Sequence, residues 1–245
     1  MKVIGVIPSR YAAQRFPGKP LALIAGVPMV VRVIRQAQKA KKLTEVWVAT
    51  DDKRIAQAVE QAGAKAVMTP ASCKSGTDRI AYAVKGKKLD IVINIQGDEP
   101  VIAPSAIDAA VEVLQRDSKV LMSTVVIPSR DKKDWLDPNV VKAVLTPKGD
   151  VLYFSRSPIP HLRDGGVPLF YKHMGLYGYR PAWLQKMAVL KPTPLELTEK
   201  LEQLRAMENG VFLRAAIKKV DSIAVDVPAD ARKVERFLKK NRRSE

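Results

Sequence analysis

The sequence predicts an α/β fold with a mostly parallel sheet and an inserted antiparallel portion. Two observations carry this prediction. Short, fully apolar runs alternate with longer amphipathic segments over the first half of the chain, and this alternation gives way to closely spaced strand-like runs beyond residue 120. Strands buried on both faces read as continuous apolar runs, whereas a helix repeats its apolar residues every three or four positions. The length of 245 residues suits one α/β domain or two small ones.

The first half of the chain reads as four successive pairs of strand and helix. Residues 3–7 form the first apolar run, and the apolar residues of 28–39 recur at helical spacing. Asp51 and Asp52 open the next helix, because carboxylates favour the first turn and Gly63 stands just past the end. The remaining predicted elements are strands at 45–49, 65–68 and 90–95 and helices at 78–85 and 104–115.

Beyond residue 120 the predicted elements are mainly strands. A turn that contains Pro147 and Gly149 joins two of them and favours antiparallel pairing. The predicted strands are 120–127, 140–145, 151–154, 173–180 and 213–220, with a helix at 195–207. We therefore expect one domain over residues 1–245, with an antiparallel insert at about 120–210 and a basic C-terminal tail at 232–245.

Composition excludes several classes of protein. Hydrophobic residues make up 47% of the chain, which is too apolar for a disordered protein. The longest apolar stretch, 21–31, is broken by Gly26 and Pro28, whereas a membrane span needs about 20 apolar residues. The N-terminal apolar run is too short for a signal peptide. Cys73 is the only cysteine, so we expect no internal disulfide and a reducing, cytoplasmic location.

The formal net charge of +17 favours anionic ligands. It does not by itself predict nucleic-acid binding, because no RNA- or DNA-binding motif accompanies it and aromatic residues make up only 6%. In the basic tail, Val234, Phe237 and Leu238 recur at helical spacing. The tail therefore predicts a helix with a solvated basic face, whose function we expect to be solubility or weak attraction of anions.

The loop after the first strand concentrates positive charge where parallel sheets bind ligands. Arg10, Arg15 and Lys19 follow the strand with no acidic residue among them. Ligands of parallel sheets lie beyond the carboxyl ends of the strands, and guanidinium and ammonium groups prefer phosphate oxygens. Neither the dinucleotide-binding glycine pattern nor the P-loop pattern occurs in the chain. The loop predicts a phosphate site built largely from side chains.

Carboxylates follow the fourth strand of the predicted sheet. Asp98 comes after Gly97, which allows a ligand to approach the backbone closely. Magnesium prefers one or two carboxylates together with phosphate oxygens, so Asp98 is a candidate ligand. Asp226, in a Val-Asp-Val-Pro segment, could supply a second carboxylate, although its spacing alone is a weak indication.

Several motifs together resemble a known family. They are PSRYxxxRFPGKPL from residue 8, ATD at 49–51, SGTDR at 75–79, NIQGDEP at 94–100, YFSR at 153–156, KHMGLYGY at 172–179, PLELTEKLEQLR at 194–205 and VDVP at 225–228. This combination is similar to the CMP-Kdo synthetases, the 3-deoxy-manno-octulosonate cytidylyltransferases. The resemblance covers roughly residues 3–230, and it implies a Rossmann-like fold of the nucleotidyltransferase type.

The resemblance implies a reaction between CTP and 3-deoxy-D-manno-octulosonate (Kdo). The anomeric hydroxyl attacks the α-phosphorus in line, releasing pyrophosphate and giving CMP-Kdo for lipopolysaccharide synthesis. Arg10, Arg15 and Lys19 would hold the phosphates and stabilise the charge that grows on pyrophosphate. Asp98 and Asp226 would bind Mg²⁺. Arg10, Lys19 and Asp98 are thus the expected catalytic residues.

The resemblance also implies the remaining substrate contacts. Cytidine would lie against the first loop and against Thr50, Ser75, Gly76 and Arg79. The sugar acid would contact Gln96, Arg156, His173, Glu202 and Gln203. Among these, Arg156 suits the carboxylate of the sugar acid, because its guanidinium can pair with both oxygens.

Alternatives remain open at this stage. The nearest is a cytidylyltransferase for another acid sugar, 8-amino-Kdo or a sialic acid, with the same nucleotide loop and a different sugar pocket. A basic nucleic-acid-binding module is an alternative of a different class, and a nucleotide-binding protein without catalysis is a weaker one. The family and the antiparallel insert suggest a homodimer, and we expect neither a membrane nor a nucleic-acid partner.

Overall fold

The computed structural model describes residues 1–12, 16–220 and 223–241. The chain divides into two compact units, one formed by Met1–Asp108 with Asp221–Glu245 and the other by Ala109–Val220. In the sequence, the second unit is therefore inserted into the first. It contains the range of about 120–210 that we predicted as an insert and extends beyond it at both ends. That the chain forms one domain stays a prediction.

The first unit alternates strands and helices as the sequence predicts. A short 3-10 turn at Lys19–Leu21 and a two-stranded hairpin add to the predicted elements. The elements are β1 (Val3–Ser9), β2 (Leu23–Ile24), β3 (Val27–Pro28), α1 (Met29–Ala37), β4 (Glu45–Thr50), α2 (Lys53–Gln61), β5 (Lys65–Met68), α3 (Gly76–Val84) and β6 (Ile91–Asn94), followed by α4 (Pro104–Arg116).

The sheet of the first unit is parallel, with strands in the order β6-β1-β4-β5. The strand β1 is central, and its residues Val3, Ile4, Val6 and Ile7 are all buried. This matches the expectation that a strand covered on both faces is apolar throughout. The α/β fold class and the parallel arrangement are confirmed.

The second unit is dominated by antiparallel pairing. Its sheet has the order β11-β7-β10-β8-β9, and only β7 and β11 pair in parallel. The short helices α5 and α6 were not predicted from the sequence. The elements are β7 (Met122–Ser129), α5 (Lys132–Leu136), β8 (Lys142–Leu145), β9 (Val151–Ser155), β10 (Phe170–Tyr179), α6 (Pro181–Val189), α7 (Pro194–Glu199), α8 (Gln203–Glu208) and β11 (Leu213–Ile217).

The prediction of one helix over 195–207 is wrong. Helix α7 ends at Lys200, which has a φ of 53° and therefore interrupts the helical hydrogen-bond ladder. The carbonyl of Glu196 accepts the N–H groups of Lys200 and Leu201, which is a typical helix C-cap arrangement. Leu201 and Leu204, which follow the break, are both buried.

The C-terminal helix α9 (Pro228–Asn241) belongs to the first unit and has an apolar face packed into that unit. Val234 is fully buried in a cluster with Ile24 and Met29, and Phe237 and Leu238 pack against the same cluster. The predicted helical pattern of the tail is therefore confirmed as far as residue 241, and residues 242–245 lie outside the described residues. Among the described helices, none is long and apolar enough to cross a membrane.

Candidate functional site

The loops after β1 and β6 meet at one edge of the parallel sheet. The strands are neighbours, with Val6 opposite Asn94, so their carboxyl ends lie at the same edge. These loops border a cavity of about 480 Å³, a size that suits a small-molecule ligand. The predicted site residues that line this cavity are Arg10, Lys19, Ser75, Gly76, Arg79, Gln96, Asp98 and Asp226.

Lys19 lies between two carboxylates at the wall of this cavity. Its Nζ is 2.9 Å from Asp98 Oδ2 and 3.6 Å from Asp226 Oδ1. The Lys19 side chain is only 13% exposed, so solvent ions screen these attractions less than they would on an open surface. Gly18 comes directly before Lys19 and has a φ of 69°, a backbone conformation that favours glycine. The 3-10 turn begins at Lys19. One ammonium and two carboxylates, from three distant parts of the sequence, thus share one site.

Arg10 is an exposed cation at the same cavity. It makes no hydrogen bond or ion pair with any residue that the structure describes. Lys74, which we did not predict, is a second exposed cation that lines the cavity. Arg15, the third predicted cation of the loop, lies outside the described residues. The described cations are therefore available to an anionic ligand, as expected for a phosphate site.

The start of α3 forms another wall of the cavity. Ser75 caps this helix, because its Oγ accepts the N–H of Asp78 at 3.1 Å while Asp78 Oδ2 accepts the N–H of Ser75 at 3.2 Å. A Cβ on Gly76 would lie 3.3 Å from Pro8 Cγ, so glycine lets the helix start pack closely against the loop after β1. The capping box fixes both residues at the cavity edge.

Arg79 is a buried residue of the cavity wall and is already paired. Its Nη2 lies 2.8 Å from Asp51 Oδ2, and its Nη1 donates to Thr69 Oγ1. Thr50 is fully buried and is not among the residues that line the cavity; its Oγ1 accepts the N–H of Asp52 at 3.2 Å. These contacts fix the end of β4 and the turn that follows it. The cytidine contacts expected of Arg79 and Thr50 stay predictions.

Gly97 allows the loop after β6 to lie close to the end of β1. A Cβ at Gly97 would lie 3.0 Å from the carbonyl oxygen of Pro8 and 3.2 Å from Ser9 Oγ. Ser9 was not predicted as a site residue, but it lines the cavity, and its buried hydroxyl has no hydrogen-bond partner among the described residues. Its position at the carboxyl end of β1, where parallel sheets bind ligands, could have indicated Ser9 as a site residue. Beside these residues, Gln96 Nε2 donates to Asn94 Oδ1 at 3.3 Å.

In the second unit, backbone carbonyls hold the side chain of Arg156. Its Nε donates to the carbonyl of Glu199 at 2.7 Å, and its Nη1 donates to the carbonyl of Pro138 at 2.9 Å. Its own N–H donates to Glu199 Oε2, and its carbonyl accepts from Lys142 Nζ. Burial lowers the pKa of Lys142. The guanidinium is thereby fixed in orientation, and Nη2 keeps hydrogen-bonding capacity for a ligand.

His173 lies in β10, in an apolar environment next to Phe154 and Tyr177. Burial lowers the pKa of His173 to about 3, so its ring is neutral at neutral pH. Thr124 Oγ1 donates its single proton to the carbonyl of Leu176 at 2.9 Å and lies 3.0 Å from His173 Nε2. We therefore assign the ring proton to Nε2, which leaves Nδ1 as an acceptor.

Glu202 and Gln203 lie at the start of α8. Gln203 is 3% exposed, and its Nε2 has no hydrogen-bond partner among the described residues. A buried amide without a partner is unusual and is suited to a ligand oxygen. Glu202 Oε1 lies 3.6 Å from Arg205 Nη2. Burial raises the pKa of Tyr177 well above its usual range, and the charges of Tyr179 and Glu202 raise it further. The ring of Tyr177 lies 5.3 Å from that of His173.

The residues around Lys19 fit magnesium as a partner of a bound nucleotide. Asp98 and Asp226 are both within ion-pair reach of one ammonium, so their charges converge on a common point. Mg²⁺ in proteins is commonly held by one or two carboxylates together with substrate phosphates. Among the described residues, no group of three or more His, Cys, Asp or Glu side chains could hold a metal ion by themselves. The two carboxylates therefore need the phosphate oxygens of the nucleotide as further ligands.

Comparison with known proteins decides the family. A family model described as cytidylyltransferase matches residues 4–220. The 3-deoxy-manno-octulosonate cytidylyltransferase of Myxococcus xanthus is 49% identical over 240 residues, covering 97% of each chain. The chain belongs to the 3-deoxy-manno-octulosonate cytidylyltransferase family. The family member from Geobacter metallireducens is 47% identical over 245 residues, covering 96% of each chain.

A solved structure extends this relationship to the fold. The structure of a CMP:2-keto-3-deoxy-manno-octonic acid synthetase complexed with CTP has a TM-score of 0.93 to this chain at 38% identity. The match covers 98% of this chain and all of that one. The predicted resemblance to the cytidylyltransferases and the predicted nucleotidyltransferase fold are both confirmed.

Proposed function

We propose that this protein transfers CMP from CTP to the anomeric hydroxyl of Kdo, releasing pyrophosphate and giving CMP-Kdo for lipopolysaccharide synthesis. The observation that carries the proposal is the convergence of Lys19, Asp98 and Asp226 at a cavity bordered by further cations, in a member of this family. Such an arrangement matches the needs of phosphoryl transfer, in which positioning and electrostatic stabilisation supply most of the rate. A non-catalytic nucleic-acid-binding module would have no need of it.

The cavity of the first unit would hold the triphosphate of CTP. Arg10 and Lys74 are exposed cations at this cavity, and Lys19 is a partly buried one. Arg10 and Lys19 would neutralise the negative charge that develops on the departing pyrophosphate. Arg15 would add a third cation from the same loop. Ser75 and Gly76, fixed by the helix cap, would contact the nucleotide from the other wall.

Magnesium is part of the proposal. Asp98 and Asp226 would hold Mg²⁺ together with phosphate oxygens, because these carboxylates already converge on a cation, Lys19 Nζ. When bound, the ion supplies Lewis-acid polarisation of the α-phosphate. Lys19 would then direct its ammonium to the phosphates while remaining close to Asp98.

The polar residues of the second unit would bind the sugar acid. Arg156 Nη2 would pair with the carboxylate, since Nε and Nη1 already bind backbone carbonyls. His173 Nδ1, as an acceptor, and Gln203 Nε2, as a donor, would bind sugar hydroxyls. Glu202 would complete the set in this unit, and the sugar contact predicted for Gln96, a residue of the first unit, stays a separate prediction. These contacts are suited to a 2-keto acid sugar, with 8-amino-Kdo and sialic acid as the competing substrates.

The identity of the sugar acid is tested by pyrophosphate release with CTP and Mg²⁺. Kdo, 8-amino-Kdo and a sialic acid are compared, and we expect Kdo to give the highest kcat/KM. Arg156→Ala should raise the KM for Kdo and leave the KM for CTP unchanged, whereas Arg163→Ala, in the exposed loop, is the matched control. A clear preference for sialic acid would overturn the choice of Kdo and leave the nucleotide site intact.

The assembly and location of the enzyme also belong to this proposal. The homodimer rests on the family resemblance and the antiparallel insert, and sedimentation would measure it. The cytoplasmic location rests on the single cysteine, Cys73, which suits a reducing compartment. Both stay predictions.

A further inference from the structure

The first turn of α9 holds the backbone at Asp226. Asp230 Oδ2 accepts the N–H of Asp226 at 3.1 Å and the N–H of Val227 at 3.2 Å. Asp230 is the third residue of α9, and a carboxylate at this position that accepts the N–H of the capping residue is half of a capping box. Asp230 Oδ1 in turn lies 2.8 Å from Lys233 Nζ. The Asp230 side chain is thereby fixed on both of its oxygens.

A second backbone contact ties the segment of Asp226 to that of Asp98. The N–H of Val225 donates to the carbonyl oxygen of Asp98 at 2.8 Å. Asp98 and Asp226, whose carboxylates both lie near Lys19 Nζ, therefore belong to backbone segments that are hydrogen-bonded to each other. Hydrogen bonds therefore hold the backbone at Asp226 and at the residue before it. The N–H of Val225 donates to Asp98, and the N–H of Asp226 donates to Asp230.

The helix that carries Asp230 is itself anchored. Val234 and Val225 are fully buried in one apolar cluster, and Phe16 of the cavity-lining loop packs against it. Five residues beyond Asp230, and away from Asp226, Glu235 Oε1 accepts the N–H of Ala25 at 2.8 Å. The buried apolar face of the helix offers Asp230 a rigid support. Helix α9 therefore reaches the site through its buried face and its first turn.

We propose that Asp230 is a positioning residue that holds the Asp226 carboxylate where it binds the magnesium–nucleotide complex. Asp230 acts through the backbone N–H groups of Asp226 and Val227 and does not itself bind the metal. The inference rests on the proposed function in one respect, the assignment of Asp226 as a metal ligand. It gives α9 a defined role in the active site beyond solubility and attraction of anions.

The test is the affinity for Mn²⁺, used as a spectroscopic substitute for Mg²⁺, in the presence of a non-hydrolysable CTP analogue. Electron paramagnetic resonance measures bound Mn²⁺ without turnover. Asp230→Ala should weaken this affinity roughly tenfold or more, the range found when outer partners of metal ligands are removed. Asp230→Asn keeps an acceptor oxygen for the two N–H groups and should recover most of the loss.

A matched control is Glu235→Ala. It removes the same kind of hydrogen bond, from a carboxylate to a backbone N–H, in the same helix but away from Asp226. The control should lower thermal stability and leave the Mn²⁺ affinity unchanged. Should Asp230→Ala be too unstable to purify, Asp230→Ser, whose shorter side chain cannot reach both N–H groups, is measured against the same control.

The two possible results are distinct. If Asp230→Ala, or Asp230→Ser in its place, binds Mn²⁺ as tightly as the unmodified protein and only loses stability, Asp230 is a helix cap alone and the proposal is overturned. If the variant loses affinity and Asp230→Asn restores it, the proposal stands. A failure of the proposed function would look different, because the unmodified protein would then release no pyrophosphate with any sugar acid whether or not Asp230 affects Mn²⁺ binding.

Discussion

Lys19 Nζ lies 2.9 Å from Asp98 Oδ2, although the two residues are 79 positions apart in the sequence. The contact joins the loop after β1 to the loop after β6, and Asp226 Oδ1 lies 3.6 Å from the same ammonium. The ammonium offsets the repulsion between the two carboxylates before the nucleotide arrives. The same three groups can then rearrange around the phosphates and a metal ion. This relationship is the physical basis of the proposed site.

Replacing Lys19 should impair catalysis. Lys19→Ala removes the cation that stabilises charge on the departing pyrophosphate, and we expect kcat to fall roughly 10²- to 10³-fold, as when one preorganised donor is lost. Steady-state pyrophosphate release measures the effect. Lys87→Ala changes an exposed lysine outside the cavity lining and should leave kcat unaltered. Equal rates for Lys19→Ala and the unmodified enzyme would remove Lys19 from the mechanism.

A methyl group at Gly97 should weaken nucleotide binding. In Gly97→Ala the new Cβ would lie 3.0 Å from the carbonyl oxygen of Pro8, so the end of β1 and the loop after β6 must move apart by a few tenths of an ångström. We expect a loss of stability of about 1–3 kcal/mol and a rise in the KM for CTP. Gly63→Ala is the control, since Gly63 has a φ of 72° and no described atom within 4 Å of an added Cβ. It should cost roughly 1–2 kcal/mol of stability from backbone strain while the KM for CTP stays constant.

The neutral state of His173 predicts how stability depends on pH. Its pKa falls from 6.5 to about 3 on folding. Between these pH values His173 is therefore protonated in the unfolded chain and neutral in the native one. The contribution of neutral His173 to the free energy of unfolding is fully present above pH 6.5. It is lost as the pH falls toward 3, with a slope of up to about 1.4 kcal/mol per pH unit. Urea unfolding at pH 7, 6 and 5 measures it. His173→Gln should show a shallower dependence, and an identical slope in both proteins would contradict the assignment.

Helices α7 and α8 are joined by a buried ion pair. Arg205 donates from Nη2 to Glu196 Oε1 at 2.5 Å and from Nε to Oε2 at 2.8 Å, and both side chains are nearly buried. Burial alone would raise the pKa of Glu196, but the hydrogen bonds from Arg205 and from the N–H of Thr193 outweigh it and lower the pKa below 4.5. Glu196→Gln leaves a buried guanidinium poorly paired and should reduce the free energy of unfolding by roughly 3 kcal/mol.

Urea unfolding of Glu196→Gln at neutral pH checks this value. Arg116→Gln breaks an exposed pair with Glu112 and is the control, for which we expect almost no change. A loss of stability as small in Glu196→Gln as in this control would mean that the ion pair does not hold the two helices together.

Much of the cavity could be predicted from the sequence, because parallel topology brings the carboxyl ends of neighbouring strands to one edge. The apolar runs that become β1 and β6 are sufficient to predict Arg10, Lys19 and Asp98 at that edge, and all three line the cavity. Asp226 was only a weak candidate by spacing. Its place beside Lys19 depends on the packing of α9, which is a tertiary effect that local patterns do not contain.

Other features depend on contacts between distant residues. The apolar and charged pattern of 195–207 is helical throughout, yet the helix is interrupted at Lys200, whose φ of 53° is not indicated by its residue type or by its neighbours in the sequence. Thr50 has a hydroxyl at a strand end, as a ligand-binding residue would, yet it is fully buried and accepts the N–H of Asp52. Residue type and position along a strand do not reveal such an inward orientation.

The most direct test of the account is pyrophosphate release from CTP and Mg²⁺ with and without Kdo, for the unmodified enzyme and for Asp98→Ala. We predict release that requires Kdo and that falls by at least roughly 10²-fold in Asp98→Ala, with Asp90→Ala, an exposed carboxylate outside the cavity lining, unaffected. Release that is independent of Kdo, or that is undiminished in Asp98→Ala, would contradict the proposed reaction and its site.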